Sequence, residues 1–321
     1  MSAENTRPIM NGCMGTGDKI QILLSTYNGE AFLRQQLDSY LNMKGFERCC
    51  VLIRDDGSTD TTRLILKEYE VKYGFQIEYG NNLGTTQSYE WLIRHSDPNC
   101  DFFALSDQDD VWLTDKISIA IGCIKNIPAQ IPTLFASRSC ITDQELHVIG
   151  YSILPKRGIS FYNAMVQNVL PGHTQVLNRT LRSLLAERGL AGSHVVDWWI
   201  YLTASATGKV VYSDTPTVLH RQHGDNSVGY KLGVLRSLQK KITYIIEGKG
   251  NAISLQLKAF LERYGDLLPV EYKNELEQYL SGLHGVFKRL YYLRHSRIFR
   301  QKAAEDIAFH ILYFLGKYNI S

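Results

Sequence analysis

The sequence predicts an α/β fold, in which a mostly parallel sheet with helices on both faces is followed by a helical C-terminal appendage. In the first half of the chain, short apolar runs alternate with amphipathic helical segments, a pattern typical of parallel β-α-β units. Three of these runs end in polar clusters, at 25–28, 55–58 and 107–110. If the strands are parallel, these clusters lie along one edge of the sheet, where such sheets place their binding sites. The remainder, residues 231–321, has helical periodicity and a basic excess. A chain of 321 residues is long enough for about two domains.

The predicted elements alternate in chain order. Apolar runs predict four strands, at 20–25, 51–54, 77–79 and 102–105. Helical spacing of apolar residues predicts helices at 31–41, from about residue 60 to 73, and at 85–95. We expect Asp60 or Thr59 to cap the second of these helices. In the appendage, the same spacing predicts helices at 234–246, 252–264, 272–294 and 303–318.

Composition excludes several classes of protein. Apolar residues make up 44% and charged residues 21%, which excludes a disordered or collagen-like chain. A net charge of +3 is too balanced for a general nucleic-acid binder. The six cysteines include no CxxC pair, so we expect a reducing, cytoplasmic setting and no zinc site. We also expect no secretory signal in residues 1–19 and no membrane span, since no run of about 18 apolar residues occurs.

The charge is distributed unevenly along the chain. Residues 231–321 contain 15 Lys/Arg and 8 Asp/Glu, which leaves 20 and 24 for residues 1–230, a net of +7 against −4. A domain boundary is therefore predicted near Gly229–Gly233, between domains at 18–230 and 231–321. The stretch from Phe287 to Lys302 combines basic and aromatic residues without an acid, which suits an anionic membrane surface. A solvated face or a homodimer interface with paired charges is the alternative.

The strongest chemical signal is Asp107-Gln108-Asp109-Asp110, directly after an apolar strand. Three carboxylates in four residues repel one another unless a cation intervenes, and hard oxygen ligands suit Mg²⁺ or Mn²⁺. The alternative is an acidic turn in which Asp110 or Thr114 caps the next helix. The sequence has no P-loop and no GxGxxG after a strand, so a nucleoside diphosphate would need a metal ion on Asp107 and Asp109.

Three weaker signals accompany this cluster. In the segment Asp55–Ser58, a strand-end carboxylate could bind a base or a ribose, or it could stabilise an ordinary turn. Asp197 precedes Trp198 and Trp199, whose apolar rings would raise its pKa toward that of a general base and could stack on a sugar. A helix start beside a buried Trp pair is the alternative. The segment His220–His223 could bind a metal or a diphosphate, or it could form a polar loop.

Together these segments resemble glycosyltransferase family 2, the inverting transferases of the Rossmann-like GT-A fold, and within it a bacterial rhamnosyltransferase-like branch. The matching segments, in chain order, are 24–30, 53–62, 82–84, 105–112, 172–174, 197–199 and 220–226. The chain departs from the family pattern at two positions. His173 stands where relatives often have Cys, and Val196 stands before Asp197 where His is common.

The resemblance implies a metal-dependent, inverting glycosyltransferase and a role for each matching residue. Nucleotide-binding roles are implied for Ser25, Thr26, Tyr27, Glu30, Asp56 and Asp107. The implied ligands of Mg²⁺ or Mn²⁺ are Asp109 and His223, and the implied general base is Asp197. Contacts with the donor or the acceptor are implied for Trp198, Trp199, His173 and Arg221.

The resemblance also implies substrates and a setting. It favours dTDP-L-rhamnose as the donor and a growing polysaccharide or lipid-linked saccharide as the acceptor, in O-antigen-like synthesis at the cytoplasmic face of the inner membrane. A UDP-hexose donor is the closest alternative. A phosphatase or nucleotidyltransferase using the same acidic cluster, and a non-catalytic scaffold of a polysaccharide-assembly complex, are the alternatives from other classes.

Overall fold

The computed structural model describes residues 17–222 and 251–320, which form two compact units. The first unit contains residues 17–152, 172–187 and 211–221. The second contains residues 153–171, 188–210, 222 and 251–320. The predicted boundary near Gly229–Gly233 and the predicted helix at 234–246 lie outside the described residues.

A seven-stranded sheet forms the centre of the first unit, with the strand order β10-β6-β9-β4-β1-β2-β3. The strands in the described part of the chain are β1 (Ile20–Thr26), β2 (Cys49–Asp55), β3 (Gln76–Tyr79), β4 (Phe102–Ser106), β5 (Val111–Trp112), β6 (Thr133–Ser137), β7 (Cys140–Thr142), β8 (Val148–Tyr151), β9 (Val176–Asn178), β10 (Lys209–Ser213) and β11 (Val218–Arg221). Strands β4, β1, β2 and β3 are parallel neighbours, and β9 runs antiparallel to β4 and β6. The predicted α/β fold with a mostly parallel sheet is therefore confirmed.

Within residues 17–222 and 251–320, the helices are α1 (Leu33–Leu41), α2 (Thr62–Tyr73), α3 (Thr85–His95), α4 (Lys116–Ile124), α5 (Phe161–Ala164), α6 (Arg179–Arg188), α7 (Val196–Thr207), α8 (Asn251–Tyr264), α9 (Val270–Gly282), α10 (Val286–His295) and α11 (Ala303–Phe314). The three helices predicted in the first half correspond to α1, α2 and α3. The N-cap of α2 is Thr61, so the prediction that Asp60 or Thr59 caps this helix is wrong. The Asp60 carboxylate nevertheless accepts a hydrogen bond from the backbone N–H of Thr62, the first residue of α2, at 3.0 Å. Neither Asp110 nor Thr114 caps α4, because that helix begins at Lys116 after Asp115.

A second, four-stranded sheet in the first unit was not predicted. Its strand order is β5-β11-β7-β8, with β11 antiparallel to β5 and parallel to β7. Each of these strands has only two to four residues. Such short segments carry almost no alternation of polar and apolar residues, so periodicity cannot identify them.

The predicted helix at 272–294 is wrong, because two helices, α9 and α10, occupy this region. Helical structure is interrupted between Gly282, the last residue of α9, and Gly285, which has an extended backbone with φ 177°. The predicted helix at 303–318 is too long, since α11 ends at Phe314 and Gly316 follows in the left-handed region with φ 73°. The prediction at 252–264 agrees with α8.

Aromatic rings form much of the core of the second unit. Tyr279 of α9, Tyr292 of α10 and Tyr313 of α11 are buried together, with ring centroids 4.9–5.7 Å apart. In another part of this unit, Trp199 of α7 contacts Phe260 of α8, with ring centroids 5.5 Å apart. Within the described ranges 17–222 and 251–320, no helix is both long enough and apolar enough to cross a membrane.

We predict that Gly282→Ala destabilises the protein. A Cβ atom at this position would lie 2.1 Å from the Tyr313 hydroxyl oxygen, so the buried tyrosine cluster would have to shift. Overpacking of this kind costs about 1–3 kcal/mol, which chemical denaturation would detect as a lower free energy of unfolding.

Gly285→Ala is the matched control. It changes the same residue type three positions away, but its Cβ would meet nothing within 4 Å, and its extended backbone suits any residue. Equal destabilisation by the two variants would contradict the close approach of Tyr313 to the end of α9.

Candidate functional site

The carboxyl ends of three parallel strands meet at one edge of the large sheet. Thr26 of β1 is paired with Asp55 of β2, and Leu24 of β1 is paired with Ser106 of β4. The loops that follow these strands contain the three polar clusters noted in the sequence. The prediction that these clusters lie along a single edge is therefore confirmed.

Hydrogen bonds join the loop after β1 to the loop after β2. The backbone N–H groups of Asn28 and Gly29 donate to Ser58 Oγ at 2.9 Å and to Thr62 Oγ1 at 2.8 Å. In the other direction, the backbone N–H of Thr61 donates to a carboxylate oxygen of Glu30 at 3.0 Å. Glu30, expected at the base pocket, therefore also holds the start of α2. The two loops form one connected support, with Asn28 in the left-handed region at φ 47°.

Gln108, at the second position of the Asp107–Asp110 cluster, joins this support to the loop after β4. Its Oε1 accepts hydrogen bonds from Thr26 Oγ1 at 2.6 Å and from the Tyr27 backbone N–H at 2.9 Å. Its Nε2 donates to the Tyr27 carbonyl at 3.1 Å. The sequence analysis assigned no role to Gln108. A long amide side chain between two carboxylates is the only sequence signal that could have indicated one.

The Asp56 carboxylate, expected to contact base or ribose, is buried and holds a neighbouring loop. One oxygen accepts from the backbone N–H of Leu83 at 2.8 Å and the other from that of Gly84 at 2.9 Å. Asp56 also forms a buried ion pair with Arg54. Arg54 donates in turn to Ser88, whose hydroxyl also receives the hydrogen bond of Ser25 at 2.7 Å. Asp56 therefore positions the Asn82-Leu83-Gly84 segment beside the end of β2.

The three carboxylates after β4 occupy different environments. The Asp107 side chain is 44% exposed, and one of its oxygens lies 3.2 Å from the Tyr89 hydroxyl, which donates to it. Asp109 is partly exposed, and its backbone carbonyl accepts a hydrogen bond from Arg221 at 3.0 Å. Asp110 is completely buried. Asp107 and Asp109 are therefore accessible to a ligand, whereas Asp110 is part of the interior.

Asp110 contacts two histidines whose rings are stacked on each other. One of its oxygens is 2.9 Å from His220 Nδ1, and the other is 3.6 Å from His173 Nδ1. Burial alone would raise the pKa of Asp110, but the charges of His173 and His220 and the hydrogen bonds from His220 and the Arg221 N–H lower it. For His220, burial lowers the pKa, and the stronger combined effect of the Asp110 hydrogen bond and the nearby carboxylate charges raises it. These groups therefore form a charge-balanced polar cluster.

The donor atoms of Asp110, His173 and His220 lie within 4.8 Å of one another, which is close enough to be tested as a metal site. The imidazole rings are stacked, with centroids 4.4 Å apart and planes inclined by only 9°. A histidine binds a metal in the plane of its ring, so the lone pairs of two parallel rings run side by side and do not converge on one ion. His173 Nε2 is also paired with Ser139 Oγ at 2.7 Å. The accessible carboxylates of Asp107 and Asp109 fit Mg²⁺ or Mn²⁺ better.

Lys116 is a buried cation beneath this cluster that the sequence analysis did not single out. Its ammonium nitrogen donates to the His173 carbonyl at 2.8 Å and lies 4.4 Å from the ring centroid of Trp112. Burial lowers its pKa to about 7, although the charges of Asp110 and Asp107 oppose this effect. Lys116 holds the backbone that presents His173 to Asp110. Its buried position at the first turn of α4 could not be read from a single lysine in the sequence.

The structure assigns Arg221 a role different from the expected contact with donor or acceptor. Its side chain is 1% exposed, and the guanidinium donates to the backbone carbonyls of Asp109 and Gln144. It also lies over the Phe32 ring, 4.6 Å from the centroid. Arg221 therefore positions the loop that carries Asp109. His173, also expected as a contact, is likewise buried, within the Asp110 cluster.

The remaining predicted residues lie in the second unit or outside the described residues. Asp197 is half-buried in the first turn of α7, where it accepts from the Trp198 backbone N–H at 2.8 Å. Trp198 and Trp199 are buried, and the Trp198 indole donates to the Ala164 carbonyl at 2.6 Å. The expectation that both rings contact a sugar is corrected, because these rings belong to the core of this unit. His223 lies outside the described residues.

Comparisons with known proteins agree on one family. The family model described as glycosyl transferase family 2 matches residues 21–187. The dTDP-rhamnosyl transferase RfbG of Shigella flexneri is 28% identical over 252 residues, covering 69% of this chain and 83% of the relative. The uncharacterized glycosyltransferase RT0329 of Rickettsia typhi is 22% identical, and the alignment covers 77% of this chain and 80% of the relative. Among solved structures, S. aureus TarS 1–349 in complex with UDP-GlcNAc aligns with a TM-score of 0.54 at 13% identity. The alignment covers 85% of this chain and 83% of the TarS chain.

We predict that Lys116 makes stability depend on pH. Burial depresses its pKa from 10.5 to about 7, so between these values the unfolded chain binds more protons than the folded chain. Stability therefore rises with pH across this window, by up to a few kcal/mol. Lys116→Met removes this contribution, so the free-energy difference between wild type and variant should grow in favour of wild type from about pH 7.5 to about pH 9.5.

The measurement is chemical denaturation of both proteins at the two pH values. Tyr and Cys residues titrate in wild type and variant alike, so the difference isolates Lys116. A difference that stays constant with pH would show that Lys116 keeps the same charge in the folded and unfolded chains.

Proposed function

Because the chain belongs to glycosyl transferase family 2, we propose that it transfers a sugar from a nucleoside diphosphate donor, bound at the ends of β1, β2 and β4, to a saccharide hydroxyl. The observation that carries this proposal is the connected edge of the sheet. Three loops are held together by Gln108 and by the Asn28–Thr62 hydrogen bonds, and two accessible carboxylates, Asp107 and Asp109, follow β4.

The nucleoside would bind at the loops after β1 and β2. Ser25, Thr26, Tyr27 and Glu30 are the proposed lining, with the exposed Tyr27 ring as the surface on which a base can stack. Asp56 would serve this site by positioning the Asn82-Leu83-Gly84 segment and by offering a remaining lone pair to the base or the ribose. Asp107, with its half-exposed carboxylate, would accept a hydrogen bond from a ribose hydroxyl.

Asp109 is the proposed ligand of Mg²⁺ or Mn²⁺, together with His223. When bound, the ion neutralises the diphosphate as it leaves. Asp109 is suited to this role because Arg221 fixes its backbone, while the three carboxylates of the cluster supply the charge that attracts a cation. The buried Asp110 would not touch the ion. It would orient His220 and the Arg221 backbone behind the loop.

Asp197 is the proposed general base. A carboxylate at this position would take the proton of the acceptor hydroxyl, and the alkoxide-like oxygen would attack the anomeric carbon in line with the departing diphosphate, with inversion. The position of Asp197 in the first turn of α7, ahead of the buried Trp198, fixes its backbone.

The proposed donor is dTDP-L-rhamnose, since a relative similar over most of its length is named a dTDP-rhamnosyl transferase. The proposed acceptor is a growing polysaccharide or lipid-linked saccharide in O-antigen-like synthesis, at the cytoplasmic face of the membrane. A UDP-hexose donor is the second candidate, because the aligned TarS structure holds UDP-GlcNAc.

Thermal stabilisation by nucleotides tests the donor. We expect dTDP to raise the melting temperature more than UDP, GDP or CMP, and to do so only with Mn²⁺ or Mg²⁺. At about 100 times its dissociation constant, a ligand adds about 2.7 kcal/mol of stability, which is a readily measured shift. A shift selective for UDP would contradict dTDP-L-rhamnose as the donor and would still support glycosyl transfer. The absence of a shift with every nucleotide would contradict the proposed site.

We predict that Asp109→Asn and Asp197→Asn separate binding from transfer. Asp109→Asn should abolish the metal-dependent part of the nucleotide shift and reduce transfer. Asp197→Asn should keep the shift and reduce transfer by about 10²–10⁴-fold, the usual contribution of a general base.

Asp214→Asn is the matched control, since Asp214 is an exposed Asp in the loop after β10 and should keep both activities. Transfer measured with radiolabelled donor decides the outcome. Normal transfer by Asp197→Asn would remove Asp197 as the base.

A further inference from the structure

The helices α10 and α11 present large apolar side chains to solvent. Phe287 is 84% exposed and Ile307 is 62% exposed, although both belong to regular helices. We define the outer face as the exposed apolar side chains of these two helices, namely Val286, Phe287, Leu290, Tyr291, Ile307, Ile311, Phe314 and Leu315. Contiguous exposed apolar surface on a folded unit marks an interaction site.

The helical periodicity shows that the outer face is a continuous feature of each helix. On α11, Ile307 and Ile311 are four residues apart and lie on one side, and Leu315, directly after the helix, continues the same interval. The opposite side of α11 carries Phe309, Leu312 and Tyr313, which are buried. An apolar stripe that stays exposed on a folded unit is a candidate surface for a further partner. Within the described part of this unit, only the side of Tyr313 is covered.

The two helices pack side by side and run in opposite directions. The rings of Tyr292 on α10 and Tyr313 on α11 are in contact. One turn earlier on α10, the Arg289 guanidinium donates to the side-chain oxygen of Asn319 at 3.3 Å, and Asn319 lies beyond the end of α11. Their buried residues face the same tyrosine cluster, so their exposed residues face away from it. The outer face is thus a two-helix surface, and it is broader than the apolar stripe of a single helix.

The charges around the outer face are almost entirely basic. Residues 286–320 contain seven Lys/Arg and two acidic residues. Both acids are already paired on the protein side, Asp306 with Arg157 at 2.6 Å and Glu305 with Lys302 at 3.8 Å. Lys288 and Arg294 are exposed on α10, and Lys317 is exposed just after α11. We call Lys288, Arg294 and Lys317 the basic border, and Arg294, four residues after Leu290, lies on the apolar side itself. An apolar surface with such basic residues complements an anionic, amphipathic partner.

We propose that the outer face of α10 and α11 docks on the surface of an anionic phospholipid bilayer. The apolar side chains would enter the interface between headgroups and acyl chains, and the basic border would pair with lipid phosphates. This docking is interfacial, and both helices would lie in the plane of the membrane. The proposal does not depend on the donor or the reaction proposed above.

Charge argues against two other partners for the outer face, namely a second copy of this chain and the segment 223–250. In a two-fold dimer through this face, each basic border would meet its own copy, and like charges would oppose association. The segment 223–250 contains five Lys/Arg and two acidic residues, so it does not complement a basic border either. An anionic lipid surface satisfies the apolar residues and the basic residues together.

Co-sedimentation of the full chain with lipid vesicles tests the proposal. We expect binding to vesicles of phosphatidylcholine with phosphatidylglycerol, weaker binding to phosphatidylcholine alone, and loss of binding at high salt. The double variant Phe287→Ser/Ile311→Ser should lower the partition coefficient about tenfold or more. Lys288→Glu/Arg294→Glu should lower the partition coefficient by about fivefold or more per substituted residue, and only on anionic vesicles.

Matched controls change the same chemistry elsewhere. The apolar control is Leu64→Ser/Val270→Ser, which replaces two exposed apolar residues on α2 and α9. The charge control is Lys258→Glu, which reverses an exposed charge on α8. These controls should bind vesicles like wild type. Circular dichroism and thermal melting confirm that each variant is folded.

Three results would overturn the proposal. One is no binding to anionic vesicles, and another is equal binding by the outer-face variants and their controls. The third is a doubling of the wild-type mass in light scattering that Phe287→Ser/Ile311→Ser abolishes, because the occupant would then be a second copy. Any of these would leave the nucleotide-dependent thermal shift unaffected, so the docking surface and the transferase site fail independently.

Discussion

The candidate site depends on the parallel pairing of β1 with β2 on one side and with β4 on the other. The pairing places Thr26 beside Asp55 and Leu24 beside Ser106, so three chain segments leave the sheet at the same level. Both faces of β1 are buried, and a shift of one residue would exchange them. Gln21 and Ser25 would then lie on the side from which Ile22 and Leu24 pack in the apolar core. Core packing thus fixes the register, and the register fixes which polar residues meet at the edge.

Buried charges then hold the loops that the sheet leaves unsupported. Arg54 donates to the Asn81 carbonyl, Arg221 to the Asp109 carbonyl and Lys116 to the His173 carbonyl. Burying a charge is costly unless it is paired and hydrogen-bonded, so each of these groups destabilises any arrangement in which its loop moves away. The loops are therefore organised before a ligand arrives, which reduces the loss of conformational freedom on binding.

The sequence was sufficient to predict the parallel half of the sheet and the edge at which its clusters meet. Strands β1, β2 and β4 are continuous apolar runs followed by turn residues, so local pattern and tertiary role agree. The partners of Asp110 could not be predicted, because His173 and His220 are distant in sequence and no local pattern encodes their stacking. Arg221 looked like a ligand contact for the same reason, since burial of an arginine depends on remote carbonyl groups.

The two-sided apolar pattern of α11 explains why sequence alone could not determine its surroundings. Periodicity predicts an ordinary amphipathic helix whose single apolar face includes Ile307, Ile311 and Leu315, and such a face normally packs on the core. The structure instead leaves these three residues exposed. The structure buries the side of Phe309 and Tyr313, because aromatic rings from α9 and α10 converge there and rings contribute more buried area than branched aliphatic side chains. The aliphatic side is left outward beside a basic border. Under the proposed docking on a lipid surface, the composition of this side serves contact with the bilayer and not the stability of the folded unit.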